Sequence, residues 1–204
     1  MLGERGVARL ELVPWDELPA ALSAYPGRPI GIDCPLSMPS ALHCFDADCP
    51  CPDISAGERK AAERAVVAMG IPLYWTTKRS IIRRLITQCI GLRERLEAAG
   101  HPVYEVYPYA AKVRLFGRPI PKKDSLEGLA WLRQRLAEQV GASPQIQRAG
   151  HDALDALLVA HVLRLLESGD ADEVGDRAEG TIVVPRPAGS KTAGAVAPAA
   201  LREG

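Results

Sequence analysis

Apolar side chains recur at helical spacing through SIIRRLITQCIGLRERLEAAG (80–100) and stop at a glycine, which predicts one long helix. PVYEVYP (102–108) alternates instead, the period of a strand. VARLELV (7–13) is short and apolar-rich and predicts another strand. WDELPAALSAY predicts a short helix after Pro19. RPIGIDCPL (28–36) predicts a strand stopping at Cys34-Pro35, because proline cannot continue a central ladder. Ser55-Ala-Gly-Glu58 has capping-box spacing and opens a helix ending near Gly70. IPLYWT (71–76) reads as a short strand or extended segment. Asp124-Ser-Leu-Glu127 begins a helix running to about Val140, and HDALDALLVAHVLRLLES (151–168) is the last long helix. TIVVP (181–185) adds a short strand. Residues 38–54 are Pro- and Cys-rich loop. From Arg186 onward Pro, Gly, Ala and Ser dominate, predicting a disordered tail (186–204) behind one domain (1–185). Helices and strands interleave, so the expected class is α/β.

Composition adds little to this picture. Of 204 residues, 47% are hydrophobic and 25% charged, an ordinary soluble balance. No apolar run is long enough to span a membrane, and no secretory signal opens the chain. Formal net charge is zero. Its distribution is uneven, however: residues 77–123 hold eleven Lys and Arg against Glu94, Glu97 and Glu105. Part of that charge is solvated helix face. The rest suits an anionic ligand met near a carboxylate site, with Lys78, Arg79 and Lys112 as candidate phosphate contacts. Tyr74, Trp75, Tyr107 and Tyr109 suit either base stacking or packing. Five cysteines, an odd number without a secretory signal, argue against a disulfide framework and for a cytoplasmic protein.

Carboxylates carry the chemistry. At about 100° per residue, Asp152 and Asp155 lie roughly 60° apart on their helix, with His151 close to Asp155. His161 falls on the opposite side. Capping alone would explain acids at a helix start. Asp33 changes the balance: it ends the apolar strand IGID, and in open α/β sheets ligands gather beyond the carboxyl ends of strands. Three converging carboxylates repel and are costly to bury without a counter-charge. A divalent cation is the usual remedy, and oxygen-only ligands favour Mg²⁺ or Mn²⁺. Such ions activate water and stabilise the leaving oxygen in phosphodiester cleavage.

The set IGIDCPLSMP, GIPLYWTTKRSIIRRLI, YEVYP and HDALDALLVAH, closing on EGTIVVP, resembles the family called domain of unknown function 429 over residues 29–185. That resemblance implies a ribonuclease H-like mixed sheet with flanking helices and a nuclease activity. The helix motif is also similar to the terminal acidic helix of Holliday-junction resolvases of that superfamily. By this resemblance Asp33 matches the acid of the fourth strand, and Asp152 and Asp155 those of the last helix. The resemblance implies a further aspartate on a central first strand. Residues 7–13 hold none, so the expectation is that the first strand or two are missing.

The expected function is divalent-metal-dependent hydrolysis of nucleic acid. Asp33, Asp152 and Asp155 would hold metal, and His151 would either support those ligands from behind or help orient water. Two other readings stay open: an inactive nucleic-acid- or protein-binding module on the same fold, and another phosphoryl-transfer enzyme of the superfamily. LHCFDADCPCP (42–52) raises a separate question. His43, Cys44, Cys49 and Cys51 could hold Zn²⁺, with Cys89 or His43 as fourth ligand, but C-x₄-C-x-C is near the usual zinc spacing without matching it. A reduced, metal-free cysteine set is the alternative. Glu105 is expected to be a fourth carboxylate or the partner of a core-facing arginine.

Overall fold

Residues 1–3 and 6–187 are described by the structure, a computed structural model. The chain opens with two-residue strands β1 (Leu2–Gly3) and β2 (Gly6–Val7), which pair antiparallel. Helix α1 (Leu18–Leu22) and strand β3 (Ile30–Ile32) follow. Next come α2 (Ala61–Ala68), α3 (Arg83–Ala98), β4 (Val103–Val106), α4 (Pro108–Phe116), α5 (Leu126–Val140), α6 (Pro144–Arg148) and α7 (His151–Glu167). The hairpin β5 (Ala171–Asp176) and β6 (Gly180–Pro185) completes the described residues. The main sheet has the order β3-β4-β6-β5, with β3, β4 and β6 parallel and β5 antiparallel to β6. The fold is mixed α/β with seven α-helices among the described residues. None of them is long and apolar enough to cross a membrane.

Most elements follow from local signals. Glu58 accepts the Ser55 backbone N–H at 2.8 Å, as the capping spacing predicts, but this box closes a 3₁₀ turn (Ala56–Glu58) and α2 begins at Ala61. Ser125 caps α5 by accepting the Gly128 N–H. The strand expected over 7–13 reduces to Gly6–Val7, because its pairing with the chain start ends by Arg9 and a strand lasts only as long as its ladder. Residues 71–76 form no strand. Their backbone groups bond to side chains instead: Thr76 N–H to Glu63, and Pro72 C=O from the Tyr107 hydroxyl. The acidic edge strand β5 and the short helices α4 and α6 carry too little apolar periodicity to be read from sequence. The tail from 188 lies outside the described residues.

Two apolar layers sandwich the sheet. On one face, Val106 and Val183 join Leu132 and Leu136 of α5, Ile146 of α6 and Leu158 of α7. On the other, Ile182 and Val184 meet Ala62 and Val66 of α2. Strand β6 is therefore buried on both faces, which explains its unbroken Ile-Val-Val run. Gly31 lets β3 approach α7, since a Cβ there would collide with Val159 Cγ1. Gly31→Ala is expected to destabilise the fold by about 1–3 kcal/mol through overpacking, read as a lowered urea midpoint at unchanged slope. Glu105 points to the face opposite Val106. Its partner is not an arginine: Lys60 Nζ lies 2.6 Å from Glu105 Oε2, with side chains 0% and 7% exposed. Leu36 N–H donates to the same oxygen at 2.8 Å.

Candidate functional site

The parallel strands β3 and β4 end on one side of the sheet, and the first turn of α7 faces the same place. Asp33 follows β3 directly, and Tyr107-Pro108 follows β4. Proline at the first position of α4 starts that helix at the strand end, because its missing N–H has no helical partner to lose there. Together these segments line a cleft of about 450 Å³ that takes in Asp33, Lys112, Lys123, Trp131, His151 and Asp155. Tyr74, Tyr107, Tyr109 and Lys122 line it too. The structure thus brings Asp33, Asp155 and His151 to one site. Asp152 stands at its edge, its side chain 92% exposed.

The N-cap of α7 is Gly150, and Asp152 makes no capping bond. Capping therefore does not account for these acids. Asp155 is 4% exposed and held between two ammonium groups: Lys112 Nζ at 2.6 Å from Oδ1 and Lys123 Nζ at 3.1 Å from Oδ2. The Lys112 contact is an ion pair without hydrogen-bond geometry. Lys123 also reaches Asp152 Oδ1 at 3.1 Å. Burial works against the Lys123 charge, but Asp155 and Asp152 outweigh it and raise its pKa. Among the described residues Asp33 has no such cation in contact. It keeps an open surface yet stands in a recess; loss of solvent, then the charge of Asp155, raise its carboxyl from 3.8 to about 6. Both ring nitrogens of His151 are buried without a hydrogen-bond partner among the described residues. His161, set apart by its helical position, is a buried core histidine whose pKa is lowered first by burial, then by Arg164.

The other candidates divide. Lys112 belongs to the cleft. Lys78 turns to the cysteine loop, its Nζ donating to Cys51 O at 2.8 Å and to Cys49 O. Arg79 is exposed and does not line the cleft. Among the aromatics, Trp75 packs under the Arg59 guanidinium at 4.2 Å instead of entering the cleft. Lys123 and Trp131 are cleft residues that sequence reasoning missed as individuals. The only signal for Lys123 was its place in the basic middle segment. In the loop, His43, Cys44, Cys49 and Cys51 each bring a ligand atom within 4.8 Å of all the others, a group that can hold a metal such as zinc. Cys89, the alternative fourth ligand, is buried with Cys34 and Ile86 in the core.

A family model described as protein of unknown function (DUF429) matches residues 4–180. Among curated proteins and among solved structures, none matches the chain.

Proposed function

Since the chain belongs to the family described as protein of unknown function (DUF429), we propose an activity from its own residues: divalent-metal-dependent hydrolysis of phosphodiester bonds in nucleic acid. The observation that carries this reading is the meeting of Asp33 with Asp155 in one cleft, where their repulsion helps raise Asp33 to about 6. Asp33, Asp152 and Asp155 form an oxygen-only donor set, the kind suited to Mg²⁺ or Mn²⁺. The unpartnered ring of His151 beside them fits a site that takes up water or an ion. A bound ion would supply activation of water and stabilisation of the leaving oxygen.

The remaining roles belong to the chain's own groups. The amino end of α7 opens on the cleft, so its dipole favours both the acids and an incoming phosphate. Lys112 and Lys123 fix the Asp155 carboxylate. Lys122, Lys123 and the more distant Arg79 meet the polyanion. Tyr74, 87% exposed at the cleft rim, stacks on a base. His151 orients water. We take residues 1–185 as one ribonuclease H-like domain, an assignment supported by the parallel β3 and β4 ending at the acids. We place it in the cytoplasm, where its five cysteines, all free, stay reduced.

The test is a cleavage assay with Mg²⁺ or Mn²⁺ over single-stranded and duplex DNA, RNA, branched junctions and free nucleotides. Asp155→Asn is expected to lower turnover by more than about 100-fold, since groups that only support a metal ligand already cost about 10–100-fold. Apparent Mg²⁺ affinity should also rise about tenfold between pH 5 and 7 and then level, because an ion must displace the proton that Asp33 holds below about 6 in the metal-free protein. A flat profile over that range, or normal turnover by the variant, would sink the site assignment. A second reading, an anion-binding module without turnover, is favoured by one observation: both oxygens of Asp155 already face a cation. It would show salt-sensitive binding to nucleic acid with no metal-stimulated cleavage.

A further inference from the structure

Loop 42–53 carries a cluster of side chains that the cleft does not absorb, and Lys78 contacts it. Cys44 Sγ lies 3.6 Å from Cys51 Sγ, and Cys49 Sγ lies 3.8 Å from His43 Nδ1. Metal–sulfur bonds of about 2.3 Å in a tetrahedron give sulfur–sulfur edges of about 3.8 Å, and metal–nitrogen bonds of about 2.0 Å give slightly shorter mixed edges. Both separations lie within about 0.3 Å of those edges. The sulfurs are well beyond the roughly 2.05 Å of a disulfide. All four atoms lie within 4.8 Å of one another, so a small contraction closes the set.

Charge supplies an independent argument. Three thiolates and a neutral imidazole around Zn²⁺ leave one net negative charge. A cation stands against the cluster: Lys78 Nζ lies 3.3 Å from Cys51 Sγ and also donates to the carbonyls of Cys49 and Cys51. Its own backbone N–H donates to Asp53 Oδ1 at 2.9 Å, which also accepts the Ile54 N–H. Lys78 thus ties the loop to the segment that opens toward α3.

We propose that His43, Cys44, Cys49 and Cys51 form a structural zinc site, with Lys78 as the counter-cation that donates to a ligating thiolate and clips the loop to residues 76–80. Binding converts three thiols to thiolates and releases their protons to solvent, so affinity falls with pH. The site stands apart from the cleft acids and does not rest on the nuclease reading.

The experiment uses the full chain expressed with zinc and purified under reducing conditions. Elemental analysis is expected to find about one zinc per chain after dialysis. Cobalt substitution should give the charge-transfer absorption of thiolate-bound tetrahedral metal. Competition with a chromophoric chelator should show affinity lowered about 10–100-fold in Lys78→Met and largely kept in Lys78→Arg, the cost of removing a group that supports a ligand. Limited proteolysis of the wild-type chain should become faster within 42–53 on chelation, so the conclusion does not depend on a cysteine variant folding. Three results would overturn the proposal. One is no stoichiometric zinc in the reduced wild-type chain. Another is a Cys44–Cys51 disulfide persisting in its place. The third is unchanged affinity in Lys78→Met, which removes the lysine from the site.

Discussion

Asp33→Asn is expected to lower metal-dependent turnover by more than about 100-fold and, in the metal-free protein at pH 8, to raise the thermal midpoint. Both effects come from one side chain. The Asp33 carboxyl is raised from 3.8 to about 6 by burial in the recess and by the Asp155 charge. Above pH 6 the folded protein therefore holds an ionised group it disfavours. The stability linked to Asp33 is complete below about 3.8 and is lost as pH rises through about 6. Asparagine is neutral throughout and keeps it. The gain in midpoint should accordingly shrink to a small fraction at pH 4, where wild-type Asp33 is largely protonated in the folded state, and vanish below about 3.8, where both states hold the proton. Differential scanning calorimetry at the two pH values, beside the cleavage assay, reads both predictions. A group conserving strain for function shows this opposition of stability and activity; a merely structural aspartate would lose stability on substitution. Asp155→Asn differs, because it leaves Lys112, itself 7% exposed, without its anion, and some loss of stability accompanies the loss of turnover.

The second large effect lies on the sheet's other face. Lys60→Met should cost about 3–5 kcal/mol by urea denaturation, the usual consequence of leaving one member of a buried ion pair alone. Lys60 is 0% exposed and Glu105 6%, so water cannot replace the lost partner. The double variant Lys60→Met with Glu105→Gln should recover most of that loss. Glutamine is uncharged and still accepts the Leu36 N–H that Glu105 holds at 2.8 Å. Leu36 is three residues beyond Asp33, so the single variant should also loosen the segment carrying that acid and lower activity. A cost below about 1 kcal/mol for the single variant, or no recovery in the double, would rule out a buried pair of this kind.

Local signals made much of this fold legible. Helical periodicity and a glycine stop placed α3; the Asp124–Glu127 spacing placed α5; alternation placed β4. Each depends on neighbours within a turn or a pleat, which is information a sequence carries directly. Elements that depend on a distant partner were less legible. The stretch 7–13 has a strand's composition but finds a ladder partner only as far as Arg9. Strand β5 is polar and acidic, and it exists because β6 offers it an antiparallel edge.

The site divides in the same way. By itself the sequence determined which residue types are available: an aspartate just past an apolar strand, two acids in the first turns of a helix, and a histidine with three cysteines within nine residues. Those are properties of local order. Only the tertiary structure decided which of them meet. It set Asp33 beside Asp155 across β3 and α7, sent Lys112 and Lys123 to that acid, turned Lys78 away to the cysteine loop, and gave Glu105 a lysine instead of an arginine. It also gathered C-x₄-C-x-C, an irregular spacing for zinc, into four ligand atoms within 4.8 Å. The physical reason is common to all of these. Charge and ligand interactions act over a few ångströms of space, and the residues that come that close are chosen by how helices pack on a sheet, not by their separation along the chain.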